Sequence, residues 1–218
     1  MDKQQIRETI ARRVARELHD GDVVHLGEGL PKMVSCYIDA DAGVMLLSES
    51  GVVGVDPVSV GARLSGGCRD GQGAAILLSP NAATFDSAMS HALMRGGHLD
   101  VCVLGAFEVD SKGNMANWIV PRTLVQGMGA AMDPLHGSKR VIVAMQHTAE
   151  GKHKIVSKCS LPLTGVGHVN LIVTEMCVME VRPEGLVVTE LNPRFSKEQV
   201  VAATGARLWW SPELIPMT

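Results

Sequence analysis

A chain of 218 residues, 46% hydrophobic and 20% charged, has the size and composition of one globular α/β domain with a sizeable core, spanning 1–218 without need of a second domain. Its 20 basic and 23 acidic residues leave a formal charge of -3 without long blocks of either sign, and aromatic residues are only 3%, which argues against nucleic acid as a partner. The five cysteines are scattered without a C-x-x-C pair, and the first residues run straight into a charged helical pattern. A disulfide scaffold, a structural zinc, a signal peptide and a membrane span are therefore not expected, and the cytoplasm is the default location.

Ile6, Ile10, Val14 and Leu18 recur four apart within residues 4–19, the spacing of an amphipathic helix, with Gly21 as its C-cap. A short strand, Asp22 to Leu26, runs into Gly27-Glu28-Gly29-Leu30-Pro31. Two glycines followed by proline let the backbone approach a ligand and leave N–H groups free there. Lys32 stands where a dinucleotide fingerprint needs its third glycine, and Glu28 would repel a pyrophosphate, so dinucleotide binding is not supported.

The next apolar run ends in Leu46-Leu47-Ser48-Glu49-Ser50-Gly51. Such a run reads as a buried parallel strand, which sets Glu49 at the carboxyl edge where open α/β sheets bind ligands. A carboxylate there serves as acid, base or nucleophile, or simply caps a strand. Gly51 to Gly73 is glycine-rich and weakly patterned and reads either as a functional loop or as a locally mobile stretch, with Cys68 as a small loop residue. Ala74 to Leu78 predicts a strand; Phe85, Met89 and Leu93 mark a helix from about Thr84 that Gly96-Gly97 ends.

Asp100 to Ala106 and Lys139 to Met145 are further buried strands, and Gly127-Met128-Gly129-Ala130-Ala131-Met132-Asp133 between them reads either as an anion-facing turn or as a tight connection. Val169 to Val178 forms one long apolar run, Leu186 to Glu190 a closing strand, and Ser196 an N-cap for a last helix. The pattern is α/β: an open, mainly parallel sheet of about seven strands covered by helices.

No histidine pair has metal-ligand spacing, so no metal is expected, and no G-x-S-x-G elbow is present. Lys32 and Arg95 are phosphate candidates that, taken singly, read better as solvated surface.

Taken together and in order, Gly27-Glu28-Gly29-Leu30-Pro31, Ser48-Glu49-Ser50-Gly51, Phe85-Asp86-Ser87, Arg95 to Asp100, Ala116-Asn117-Trp118, Gly127 to Asp133, Cys159 to Gly165 and Val173-Thr174-Glu175 resemble the beta subunit of the family I 3-oxoacid CoA-transferases, from about residue 4 to about residue 213. The resemblance implies the family's open α/β fold, coenzyme A thioester as a substrate with no tightly bound cofactor, and an alpha subunit as partner in a heterodimer or heterotetramer. The family's catalytic glutamate lies in a Ser-Glu-Asn-Gly motif, which falls on Glu49. Gly27, Glu28, Gly29, Ser50, Gly51, Gly129 and Ala130 become the candidates next to substrate or oxyanion. The implied reaction is transfer of coenzyme A from an acyl-CoA such as succinyl-CoA or acetyl-CoA to a carboxylic acid such as acetoacetate or 3-oxoadipate; the alternatives are an acyl-CoA hydrolase of the same fold or a non-catalytic scaffold. The chain departs from the family pattern at Ser50, at Val55-Asp56-Pro57 and at Ala130.

Overall fold

The first helix begins with a reciprocal cap. The Asp2 carboxylate accepts from the Gln5 N–H at 2.8 Å while the Gln5 side chain accepts from the Asp2 N–H, satisfying two of the donors that every helix start leaves open. Helix α1 (Lys3–Ala15) buries Ile10, Ala11 and Val14 and ends at Arg16. Gly21 is therefore not its cap; at φ +84° it turns the chain into the first strand. The computed structural model describes residues 1–39, 41–55, 76–125 and 129–218, with only the backbone at 129 and 130. Asp56, Pro57, Cys68, Ala74, Ala75, Gly127 and Met128 lie outside the described residues.

The main sheet is built from β1 (Val23–Leu26), β2 (Met45–Ser48), β3 (Val52–Val55), β4 (Leu78–Thr84), β5 (Leu99–Leu104), β6 (Ser138–Ala144), β7 (Leu171–Val173), β8 (Cys177–Arg182), β9 (Gly185–Leu191) and β10 (Leu208–Pro216). Its order across the sheet is β10-β9-β8-β7-β6-β5-β1-β2-β3-β4. The centre, β2-β1-β5-β6-β7, is parallel throughout, and antiparallel strands extend it on both sides. The chain steps from β1 outward to β2 and later returns to β5 on the other flank of β1. That reversal is a topological switch point, and in open α/β sheets ligands bind beyond the carboxyl ends of the strands at such a point.

Both faces of the centre are covered, which is why its strands read as unbroken apolar runs. Val101 and Val103 point to the α1 face with Ile10, Val14, Val24 and Ile142. Cys102 and Leu104 point the other way, into a cluster with Leu135, Val141, Val143, Ile155 and Ile172. Each such side chain removed from water contributes about 1.5–3 kcal/mol. Helices α2 (Ser87–Arg95) and α3 (Gly129–Gly137) cover this second face, and α4 (Lys197–Ala202), capped by Ser196 and Gln199, lies near the far edge.

Four expectations need correction. The Gly129–Asp133 stretch is not a turn but the first part of α3. Of the strand expected at Ala74 to Leu78 the described part is Ile76 to Leu78, and there the strand begins at Leu78 and runs on to Thr84, where a helix had been expected; Pro80 is tolerated because β4 is an edge strand. The apolar run Val169 to Val178 folds back on itself: the Thr174 hydroxyl accepts from the Met176 and Cys177 N–H groups and closes a turn between β7 and β8. Strand β10 was not expected at all, since Leu208 to Pro216 has no two-residue alternation and carries two prolines.

Candidate active site

Glu49 sits at the head of a hairpin, not at the tip of a lone strand. Ser48 ends β2, and the Gly51 N–H donates back to the Ser48 carbonyl at 3.2 Å, closing a four-residue turn with Glu49 and Ser50 at its centre. The Ser48 and Ser50 hydroxyls meet at 2.7 Å, so the serine that replaces the family's asparagine has a partner within the turn. Helix α2 holds the turn from outside: the Ser90 hydroxyl donates to the Ser48 carbonyl at 2.5 Å, and the Phe85 N–H donates to the Gly51 carbonyl at 2.9 Å. Gly51 has φ +98°, and a Cβ there would lie 2.1 Å from the Phe85 carbonyl oxygen. Only glycine fits.

The Glu49 side chain is half-buried and, among the described residues, makes no hydrogen bond or ion pair. Its charge acts on His25, the β1 residue beside Leu47. His25 is 2% exposed, and its Nδ1 donates to the Leu47 carbonyl at 3.1 Å. Burial lowers the His25 pKa, the Glu49 charge opposes that fall, and His91 adds to it. Glu49, His25 and His91 therefore share one electrostatic neighbourhood. His91 Nδ1 in turn lies 3.0 Å from Asp133 Oδ2 on α3, with Arg95 Nε 3.7 Å from Oδ1 of the same carboxylate. Helices α2 and α3 come this close because Gly137 is a glycine: a Cβ there would lie 1.8 Å from the Met94 carbonyl oxygen.

Beside this turn, on the same edge, lies the Gly27-Glu28-Gly29 loop that follows β1. The Gly27 N–H donates to the Val103 carbonyl at 2.8 Å, so the loop's remaining donors are the amides of Glu28 and Gly29. Glu28 pairs with Lys32 at 3.8 Å. Where β1, β5 and β6 end, Glu28, Leu30, Pro31, Gly105, Ala106, Met145 and Gln146 line a cavity of about 200 Å³, with Lys3, Arg7 and Lys154 at its wall.

The expected residues fall in three places. Glu49, Ser50 and Gly51 form the turn; Gly27, Glu28 and Gly29 form the neighbouring loop; Gly129 and Ala130 start α3, whose Asp133 reaches His91. Lys32 lies against Glu28, while Arg95 has a largely exposed side chain. His25, His91 and Lys154 were not among the residues expected here. For His25 a signal existed, a polar residue just before the end of an apolar run. Lys154 had none. Among the described residues no group of His, Cys, Asp and Glu could hold a metal ion, and no helix is long and apolar enough to cross a membrane.

Known proteins resemble this chain over most of its length. A family model described as Coenzyme A transferase matches residues 7–203. The beta subunit of the acetate CoA-transferase of Escherichia coli (strain K12) is 46% identical over 202 residues, covering 92% of each chain. One subunit of the succinyl-CoA:3-ketoacid coenzyme A transferase of Helicobacter pylori (strain ATCC 700392 / 26695) is 38% identical over 202 residues, covering 92% of this chain and 97% of that one. An acyl-CoA transferase apoenzyme from Escherichia coli O157:H7 shares the fold with a TM-score of 0.78 at 22% identity; the match covers 98% of this chain but only 43% of that longer one.

Proposed function

The chain belongs to the coenzyme A transferase family, enzymes that move coenzyme A between an acyl thioester and a carboxylate, and from that premise we propose that it is the beta chain of a two-chain transferase whose nucleophile is Glu49. The observation that carries the assignment is the Glu49 carboxylate itself: at the carboxyl edge, in a turn clamped by α2, and without an ion pair among the described residues. A structural carboxylate in a scaffold would be paired or capped.

The cycle balances without a redox step or an external acid. The Glu49 carboxylate attacks the acyl-CoA carbonyl; the C–S bond breaks, and an acyl–glutamyl anhydride and CoA thiolate result. The thiolate attacks the glutamyl carbonyl and expels the first acid as its carboxylate, leaving a glutamyl-CoA thioester. An acceptor carboxylate attacks that thioester, and the released thiolate then attacks the acceptor's acyl carbonyl, freeing Glu49 and the new acyl-CoA. Kinetics are ping-pong.

Each attack places negative charge on an oxygen, which fixed donors stabilise. Two groups of N–H donors are candidates: Glu28 and Gly29 after β1, and the first turn of α3 at Gly129 and Ala130, where the open N–H groups of a helix carry partial positive charge. The anhydride must also be kept from water, a task for which a second chain over the carboxyl edge is suited. The relatives from Escherichia coli (strain K12) and Helicobacter pylori are each named as one subunit of a transferase, which favours an alpha subunit in that role, as a heterodimer or heterotetramer. Their names also favour succinyl-CoA as a donor and acetate or a 3-keto acid as an acceptor; acetyl-CoA as donor and acetoacetate as acceptor belong to the same reading.

The test is to incubate the two-chain complex with acyl-CoA and no acceptor and weigh the peptide that holds Glu49. A coenzyme A adduct on Glu49 is expected. Glu49→Ala is expected to lower turnover by at least about 10³-fold, and a Glu49→Ala complex that assembles and exchanges coenzyme A at full rate would refute the assignment.

A further inference from the structure

Lys154 is an amine that the transfer chemistry leaves unused. Its backbone is fixed: the Val109 N–H donates to the Lys154 carbonyl at 2.9 Å, and the next residue, Ile155, is fully buried with its carbonyl accepting from the Gly205 N–H at 2.7 Å. The side chain is half-buried and lines the cavity of about 200 Å³ where β1, β5 and β6 end, part of whose wall is the hydrocarbon of Leu30, Pro31, Ala106 and Met145. Among the described residues the amine makes no ion pair. The carboxylates near it are held elsewhere: Glu175, after β7, accepts from the His147 N–H at 2.9 Å, and Glu28, after β1, lies 3.8 Å from Lys32. The His147 ring lies between the Thr174 and Thr204 hydroxyls, and the charged groups that α1 brings to the cavity, Lys3 and Arg7, are both cations.

An ammonium in that setting lacks both water and a paired carboxylate, so the neutral amine is favoured. Burial pulls the Lys154 pKa down to about 8, with the charge of Glu175 opposing the fall. At pH 7.5 roughly a quarter of such amines are neutral, against about 0.1% of an amine at the ordinary 10.5. A neutral, partly desolvated lysine is a nucleophile toward carbonyl carbon.

The cavity opens on the same edge as Glu49, one strand over, since β1 pairs with β2, and the electrophile that the transferase reading brings to that edge is an acyl thioester. We propose that Lys154 is a self-acylation site: its amine takes the acyl group of an acyl-CoA, and the acyl-lysine left in the cavity slows further turnover. The nitrogen attacks the thioester carbonyl, the C–N bond forms as the C–S bond breaks, and the surplus proton of the amine leaves with the CoA thiolate as free thiol. The lysine loses its charge in the process. An acceptor carboxylate opens a glutamyl thioester but not an amide, whose amine is a far poorer leaving group, so the modification accumulates when acyl-CoA is plentiful and acceptor is scarce. The proposal goes beyond the transferase reading and rests on it for the supply of acyl-CoA; the attack itself does not pass through Glu49.

The experiment incubates the two-chain complex with acetyl-CoA and no acceptor and locates acetyl groups by peptide mass spectrometry. At pH 7.5 Lys154 is expected to be acetylated at least about 10-fold faster than Lys152 and Lys158, exposed lysines of the same segment, because the excess of neutral amine outweighs the weaker nucleophilicity of a less basic one. Its rate is expected to rise about eightfold from pH 6.5 to 7.5 and to level off near pH 9. Glu49→Ala is expected to leave Lys154 acetylation in place. Turnover of the parent, assayed afterwards with acceptor, is expected to fall in proportion to the acetylated fraction, while Lys154→Arg keeps its own starting turnover through the same incubation. Equal labelling of Lys152, Lys154 and Lys158 would overturn the proposal, as would full acetylation of Lys154 with undiminished turnover. Loss of the label in an assembled Glu49→Ala complex would overturn it too, since the acyl group then comes from the glutamyl anhydride. Lys154 acetylation without a coenzyme A adduct on Glu49 refutes the nucleophile and leaves the acylation site standing.

Discussion

His147 is fully enclosed, with a threonine hydroxyl 2.9 Å from each ring nitrogen, Thr174 at Nδ1 and Thr204 at Nε2. The same hydroxyls also donate to the Cys177 and Val200 carbonyls. Burial lowers the His147 pKa to about 4 from 6.5. Because the folded pKa is depressed, the unfolded chain takes up the proton first as pH falls. The contribution is complete above pH 6.5 and is lost progressively between pH 6.5 and about 4, by roughly 3 kcal/mol in all. Burial lowers the His25 pKa in the same direction. Urea unfolding followed from pH 7.5 to 4 is expected to show this acid limb, and His147→Gln to flatten part of it; an unchanged slope in that variant would refute the assignment.

At the level of elements, what could be read from the sequence was whatever the sheet buries on both faces. The runs ending at Leu26, Leu104 and Ala144 were legible because no polar face interrupts them, and Glu49 was legible because it follows such a run. The hairpins at both flanks were not. An apolar run such as Val169 to Val178 carries no period that marks a reversal, and the turn depends on one hydroxyl, that of Thr174. The neighbourhood of Glu49 was legible only as a glycine pattern: that His25 and His91 approach it follows from β1 lying beside β2 and from α2 packing over the turn, neither of which is local in sequence. Gly51 is where pattern and structure meet. Gly51→Ala forces a Cβ against the Phe85 carbonyl at an unfavourable φ, so a loss of about 1–3 kcal/mol is expected, seen as a Tm lower by roughly 2–12 °C. Turnover is expected to fall further than stability does, since the turn carries Glu49. A variant with wild-type Tm and turnover would refute the clamp.

Across the whole molecule, the first helix is fastened to the far flank of the sheet by charge. Arg13 is 8% exposed and meets Glu190 on β9 with both ends of its guanidinium, Nε to Oε2 at 2.7 Å and Nη2 to Oε1 at 2.5 Å. Glu17, one turn further along, bridges Arg13 at 2.6 Å and Arg140 of β6 at 2.5 Å. Its paired cations pull the Glu17 pKa down against the cost of burial, and the carboxylates around Arg13 raise that of its guanidinium. Removing Glu190 leaves the buried Arg13 with Glu17, which Arg140 shares, as its remaining carboxylate, so Glu190→Gln is expected to cost about 1–3 kcal/mol in urea unfolding, and Arg13→Met with Glu190→Leu to recover much of that loss. Additive losses in the double variant would refute the coupling.

The same fastening sets a clock on synthesis. Arg13 and Glu190 are 177 residues apart, so at about 5–20 residues per second the ribosome makes the second roughly 9–35 s after the first. During that interval α1 is an amphipathic helix whose cation has no counter-charge on β9, and the apolar face it will cover also waits for Val178 and Met217. Helix α1 is thus fully secured only after most of the sheet has been made, and a nascent chain stalled before β9 holds the Arg13 guanidinium short of one of its two carboxylates.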